Sequence, residues 1–354
     1  METRRPNLKD YGPEALRERF REEGLPAYRA DQVAGWLYRK GVDEPAEMTD
    51  LAGELRGQLA ADWDTRALET GTVQQSTDGT RKLALRTVDE RWVEAVLIPE
   101  ERRNTLCVST QVGCPLDCSF CATGKLGFTR NLTTAEIVDQ VCQARAALGP
   151  DETLTNVVFM GMGEPLLNLA HVSEAIRTLV HPKGFGLAPR RVTVSTAGVV
   201  PRIHELLALA PVNLAVSLHA TTDEVRDELV PLNRRFPLAV LLDALRADPL
   251  VNRRRPVFFE YTLMAGVNDS VEDARRLPRL LRGIPAKLNV IPMNPHGDSP
   301  YRPPEDAVVD RFTAAVHEGG LRVTLRRDRG RDIDAACGQL AARGLEAGSG
   351  AAAG

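Results

Sequence analysis

Cys114-Pro115-Leu116-Asp117-Cys118-Ser119-Phe120-Cys121 is the stretch on which the reading of this chain turns. The spacing C-x3-C-x2-C puts three thiols on one short loop, where they can converge on one inorganic centre. A tetrahedral structural zinc takes four protein ligands. A [4Fe-4S] cluster held by three cysteines leaves one iron open to an exogenous ligand. Structural thiols and zinc remain alternatives, but a set of three favours the cluster, and an open iron is a place for chemistry.

Working outward from that loop, β-prone and amphipathic segments alternate. Strands are predicted at 105–109, 156–160, 191–195, 213–217, 257–262 and 288–291, with a further one at 321–325. Helices are predicted at 134–147, 169–180, 201–209, 238–247, 270–281 and 305–318. That alternation is the signature of a parallel sheet with crossover helices. Six such units predict an α/β fold, an incomplete (β/α)6 barrel occupying residues 105–340. Upstream, residues 1–70 read as a small helical accessory domain, with Val33, Trp36 and Leu37 on one face. Residues 71–104 read as a short antiparallel sheet linking the two, with Asp78-Gly79 as its hairpin turn. The Ala/Gly-rich tail, 341–354, is expected to be disordered.

Composition bounds the function. With 354 residues, 43% of them apolar, the chain can bury a sizeable core. It has no apolar leader and no run of about eighteen apolar residues, so a cytoplasmic protein without a membrane partner is expected. Six cysteines, clustered in sequence, suit a reducing compartment and metal or catalytic use rather than a disulfide framework. The net charge of −3 does not announce a nucleic-acid binder. Arginines nonetheless group locally, at Arg190-Arg191, Arg234-Arg235, 253–255, and Arg326, Arg327, Arg329 and Arg331. Such groups either bind phosphate or are solvated faces.

In barrels of this kind function sits on the loops leaving the C-terminal ends of the strands, and the unusual residues fall there. The cysteine loop follows the first strand, Gly161-Met162-Gly163-Glu164-Pro165 the second, Ser195 closes the third, Ser217-Leu218-His219 closes the fourth, and Asn294 follows the sixth. Two glycines let the backbone approach a ligand, and Glu164 can accept from an ammonium. Alone, each is an ordinary turn, hydroxyl or structural histidine; on one rim they offer donors and acceptors for ribose and carboxylate. Cys142 lies beside Val138 and Val141 and reads as a small core residue. Cys107 leads into the cluster loop, and Cys337 precedes a glycine and follows several arginines, which favour a thiolate. Glu94 shares a strand face with Trp92, Val96 and Ile98, so it is either ion-paired or a carboxyl of raised pKa fit to accept a proton.

Taken in order, 105–124 (TLCVSTQVGCPLDCSFCATG), 159–168 (FMGMGEPLLN), 192–198 (VTVSTAG), 213–220 (NLAVSLHA), 291–295 (IPMNP) and 332–340 (DIDAACGQL) resemble the RlmN family of radical S-adenosylmethionine (SAM) enzymes. The resemblance runs from about Tyr11 to Leu340. It implies methylation of adenine C2 in 23S rRNA, at the peptidyl-transferase loop, and in tRNA beside the anticodon. It further implies one [4Fe-4S] cluster on Cys114, Cys118 and Cys121, and two SAM molecules per turnover bound by Glu164, Pro165, Ser195, Ser217, Leu218, His219 and Asn294. Cys337 would carry the methyl, Cys107 would resolve a covalent RNA adduct through a transient disulfide, and Glu94 stands where a proton acceptor is assigned. A flavodoxin-type electron donor and a monomeric state belong to the same expectation. The chemical logic is that C2 of adenine is an electron-poor sp² carbon, which cannot attack a SAM methyl as an amine would. The related C8 adenine methyltransferases that confer antibiotic resistance share this machinery. A zinc-stabilised RNA-binding module without turnover is the rival from another class.

Overall fold

The structure is a computed structural model that describes residues 5–297, 299–326 and 329–341. The chain begins with helices α1 (Pro13–Glu22) and α2 (Ala27–Ala34), a π-helical turn (Gly35–Lys40), and α3 (Gly53–Asp62). Leu16, Phe20, Val33 and Leu37 are fully buried. Trp36, expected on the same face, lies partly outside and donates from Nε1 to Asp50 at 2.5 Å. The wider π turn accounts for this, because it breaks the 3.6-residue spacing and brings Tyr38 inward instead.

One buried cation fastens this region to the rest. Lys9 is completely enclosed, with Nζ 2.5 Å from Asp139 and 2.7 Å from Asp43. A charge in that position is tolerated only when paired. Asp139 lies on helix α5 (Thr134–Ala146), after a four-residue α4 (Ala122–Lys125), and its other oxygen accepts from the amides of Ala67 and Leu68.

The strands are β1 (Leu68–Gln75), β2 (Arg81–Thr87), β3 (Trp92–Glu100), β4 (Arg103–Cys107), β5 (Gln111–Gly113), β6 (Phe128–Asn131), β7 (Leu154–Phe159), β8 (Val192–Thr196), β9 (Asn213–Ser217), β10 (Val257–Leu263), β11 (Ala286–Pro292) and β12 (Val323–Leu325). Ten of them form one sheet in the order β1-β2-β3-β4-β7-β8-β9-β10-β11-β12. From β1 to β4 the pairing is antiparallel; from β4 to β12 it is parallel. The antiparallel strands therefore share a sheet with the parallel ones, through β4, and Cys107 sits in register between Val96 and Val158. The Asp78-Gly79 turn joins β1 to β2 as expected, with Gly79 at φ 85°. Among the described residues no ladder closes β12 back on the sheet, so the barrel is open.

Helices α6 (Leu169–Val180), α7 (Val200–Leu209), α8 (Asp223–Leu229), α9 (Leu238–Ala247), α10 (Val271–Leu280) and α11 (Asp306–Glu318) lie between the parallel strands. All were legible except α8, a short charged helix capped by Thr222. The first parallel strand ends two residues before the expected position. Beyond it the Gln140 side chain takes over from the ladder, accepting from Ser109 N at 2.7 Å and donating to Ser109 O at 2.9 Å. Strands β5 and β6 stand apart as a separate hairpin, and the segment between them carries the three cysteines. Residues 342–354, most of the expected tail, lie outside the described residues.

Candidate active site at the rim of the parallel strands

The cysteine loop closes where a side chain cannot fit. Gly113 has φ +75°, and a Cβ there would meet the Gly127 carbonyl oxygen at 1.9 Å, while Cys114 N donates to that same oxygen at 2.9 Å. The loop is then gripped from outside: Ser119 N donates to Leu229 O at 3.1 Å, Ala122 N to Gly338 O at 2.7 Å, and Thr123 Oγ1 to Leu340 O at 2.6 Å. Cys114, Cys118 and Cys121 all line one cleft at the rim, which has about 870 Å³ of atom-free space, mouth included.

Burial pushes the Cys114 thiol up to about 12 and the Cys118 thiol well above its ordinary value. Thiolates there need a cation to compensate lost solvation, which a metal group supplies. Among the described residues no group of three His, Cys, Asp or Glu is arranged to hold a single metal ion. In a cubane each thiolate takes a different iron, so the sulfurs need only face a common space, and these do. The residues thus fit a cluster of that kind.

The glycine loop lies directly on residues 109–111. Gly163, at φ +103°, would place a Cβ 2.7 Å from that of Gln111. Met162 N donates to Ser109 Oγ at 2.9 Å, and Glu164 N to Gln111 Oε1 at 2.9 Å. Glu164 is buried in the cleft wall, its two carboxylate oxygens accepting from Leu166 N at 3.0 Å and Ala197 N at 2.8 Å. Burial still prevails over those bonds and pushes its carboxyl up to about 7. A cationic ligand in the cleft would restore the carboxylate.

His219 has the left-handed φ of +56°. Its Nδ1 accepts from Thr262 N at 3.0 Å, which places the ring proton on Nε2. Burial, with help from the Arg226 cation, takes the imidazole down to about 3, so the ring is neutral. Phe120 meets it edge-on at 4.7 Å between centroids. Arg226 itself is almost completely buried and ties two loops together, donating to Leu218 O at 3.0 Å, Ala197 O at 2.7 Å and Ser217 O at 3.0 Å.

Of the expected SAM contacts, Glu164, Pro165, Ser195, Ser217 and His219 line the cleft together. Leu218 and Asn294 are buried and not among the residues that line it, Leu218 with its amide on Glu260 O at 3.0 Å. Cys337 is exposed on the cleft wall. Cys107 is buried at the end of β4; burial pushes its thiol up to about 12, and the nearby Cys337 adds to the rise. Glu94 is buried and ion-paired at 3.2 Å with Lys82 from the adjacent strand. It also accepts from Ala341 N at 2.9 Å, so it holds the segment that carries Cys337. Cys142 is intermediate in exposure and lines a second cavity, but its thiol is buried near the enclosed Lys9, and burial pushes it up to about 12. Arg326 lines the cleft, Arg329 is exposed, and Arg327 lies outside the described residues.

The sequence reading missed Arg226, Thr196, Thr262 and Glu260. For the last two a signal existed: in 257–262 the alternation puts Phe258, Glu260 and Thr262 on one face, and Glu260 pairs in register with Ser217. Arg226 had none, being one charged residue in a charged helix.

Residues 108–277 match the radical SAM superfamily, and residues 6–63 match the ribosomal RNA large subunit methyltransferase N-terminal domain. The chain is 51% identical over 318 residues to the dual-specificity RNA methyltransferase RlmN of Geobacter sulfurreducens, covering 90% of this chain and 87% of that one. It is 47% identical over 338 residues to the protein of the same description from Marinobacter nauticus, covering 94% and 91%. The crystal structure of a radical SAM methyltransferase from Sphaerobacter thermophilus superposes with a TM-score of 0.89 at 44% identity, covering 95% of this chain and 99% of that one. Among the described residues no helix is long and apolar enough to cross a membrane.

Proposed function

The chain belongs to the RlmN family of dual-specificity radical SAM RNA methyltransferases, and from that membership we propose that it methylates C2 of adenine in 23S rRNA and in tRNA. The observation that carries the radical methylation chemistry is the pair Cys107 and Cys337, which lie near each other at a cleft lined by three further cysteines. A methyltransferase working by simple displacement needs neither thiol.

Cys114, Cys118 and Cys121 hold the cluster, and Glu164 receives the SAM ammonium, with Ser195, Ser217 and His219 on its other polar groups. Leu218 and Asn294, both buried, complete the set of SAM-binding residues. When bound, the reduced cluster and SAM supply a 5′-deoxyadenosyl radical, which can take hydrogen from a methyl group. The Cys337 thiolate first attacks the methyl of one SAM, displacing S-adenosylhomocysteine and keeping the methyl as a thioether. A second SAM provides for removal of one hydrogen from that methyl, and Cys337 then adds to C2 through the resulting methylene. Cys107 or Glu94 accepts the C2 proton, and the odd electron of the adduct would return to the cluster that supplied it. The Cys107 thiolate finally attacks the Cys337 sulfur, forming a disulfide as the base leaves, its new carbon taking up a proton to become the methyl.

Two SAM molecules per turnover, one cluster per chain, a flavodoxin-type electron donor, a monomer and a cytoplasmic setting complete the reading. Residues 1–70 and the arginine groups dock the RNA, and 71–104 link them to the catalytic core of 105–340. The test is mass spectrometry of RNA nucleosides from a strain lacking the protein and from its complement. Complementation should restore 2-methyladenosine in both RNAs; 8-methyladenosine instead, or neither, would overturn the proposal.

A further inference from the structure

Glu260 stands on β10 among the rim residues with one oxygen spoken for and one not. Asn289 Nδ2 donates to Oε1 at 2.8 Å. Oε2 is buried and without a hydrogen-bond partner among the described residues. Its nearest cation, Arg326 Nη1, lies 3.8 Å away, beyond hydrogen-bonding length. A buried carboxylate oxygen left in this way is costly unless something completes it, and such an atom calls for an explanation. The Arg326 backbone is held by its amide, which donates to Val290 O at 2.9 Å.

Both side chains line the cleft that Cys337 lines. They therefore present, side by side, one bare acceptor and one guanidinium donor to whatever occupies that space. The 6-amino edge of adenine is the complement, an N–H donor next to a ring-nitrogen acceptor. A 6-oxo purine reverses the order and sets its carbonyl oxygen against the carboxylate.

We propose that Glu260 and Arg326 together read the 6-amino edge of the adenine to be methylated, and that the pair makes the site reject 6-oxo purines. This rests on the function proposed above. Two adenosines enter the cleft in that reaction, the target nucleotide and that of SAM. The target is favoured because Arg326 is close enough to Cys337 and Cys107 for their charges to act on it, and the methyl acceptor must meet Cys337. Sites built to bond a polar group reject analogues lacking it far better than apolar pockets discriminate by size.

The test uses anaerobically reconstituted, cluster-containing protein and a target RNA stem-loop carrying either adenosine or inosine at the methylated position. Methyl incorporation by the wild type should favour adenosine by at least about 100-fold in kcat/KM. Glu260→Gln can turn its amide to meet either edge; it should lose about tenfold or more on adenosine and let the ratio fall below about ten, with SAM affinity unchanged. Comparable wild-type rates on the two RNAs would overturn the proposal without any variant. So would a Glu260→Gln protein that keeps the ratio, or one in which SAM affinity falls while the ratio holds, which would assign the carboxylate to SAM. No methylation of the adenosine RNA by the wild type would instead sink the functional reading beneath it.

Discussion

The amide of Ala122 donates to the carbonyl of Gly338 at 2.7 Å, joining the residue after Cys121 to the residue after Cys337. The loop proposed to hold the cluster and the loop proposed to carry the methyl are thus one hydrogen-bonded unit. Radical chemistry demands this, since a primary radical that wanders finds other hydrogens.

Gly338 makes that contact at φ +85°, where a side chain is strained by about 1–2 kcal/mol. No atom blocks a Cβ there, the nearest being Phe120 O at 3.6 Å, so Gly338→Ala should fold. The variant is expected to release 5′-deoxyadenosine in excess over methylated RNA, by several-fold relative to wild type. Measuring the ratio of the two products checks it; an unchanged ratio would show that the joint does not position Cys337.

Removing the buried Cys107 thiol should leave addition to the base intact and block resolution. Cys107→Ala is expected to accumulate a covalent protein–RNA species attached through Cys337, seen as a slow band on a denaturing gel and lost on nuclease treatment. Free methylated RNA in normal yield from this variant would remove Cys107 from the reaction.

The hairpin turn between β1 and β2 clamps the approach to Cys337. Asp78 accepts from Thr80 N at 2.9 Å and from Gly330 N at 2.9 Å. Burial alone would raise its carboxyl, but the bonds from Thr80 and Gly330 hold it down at about 2. A lowered carboxyl stabilises the fold above its unfolded value of 3.8, and the contribution is lost as pH falls through about 2. Asp78→Ala should cost about 1 kcal/mol near neutral pH, with a smaller difference from wild type at pH 2. Hydrogen exchange over 330–341 should quicken selectively; uniform exchange would show that the clamp is not local.

Lys9 offers a stability test remote from the chemistry. Lys9→Ala leaves Asp139 enclosed without its cation and should destabilise the docked amino-terminal helices by about 3–5 kcal/mol. Urea denaturation followed by Trp36 and Trp63 fluorescence reads this directly. A change below about 1 kcal/mol would mean that the amides of Ala67 and Leu68 suffice for Asp139.

What the sequence revealed follows from how each feature is encoded. Periodicity and turn chemistry report on a residue's own neighbours, so β9, α6 and α9 fell on their observed bounds. The rim residues from Cys114 to His219 were legible because each lies at the end of a strand or on the loop that leaves it. Long-range substitutions for backbone pairing were not: nothing near Ser109 says that Gln140 will end its strand, or that Lys82 will pair with Glu94. Arg226 was hidden for the same reason, its acceptors lying on two loops and a 3-10 turn outside its own helix, which is too short for a clear period.

The account stands most directly on Cys337 as the carrier of the methyl. The protein is loaded with SAM bearing a fully deuterated methyl group, freed of excess, and given target RNA with unlabelled SAM; the first methyladenosine formed is weighed by mass spectrometry. The account predicts a first-turnover methyl that retains two deuteriums, because the group waits on Cys337 and gives up one hydrogen before joining C2. A first-turnover methyl with all three deuteriums, or with none, would contradict it.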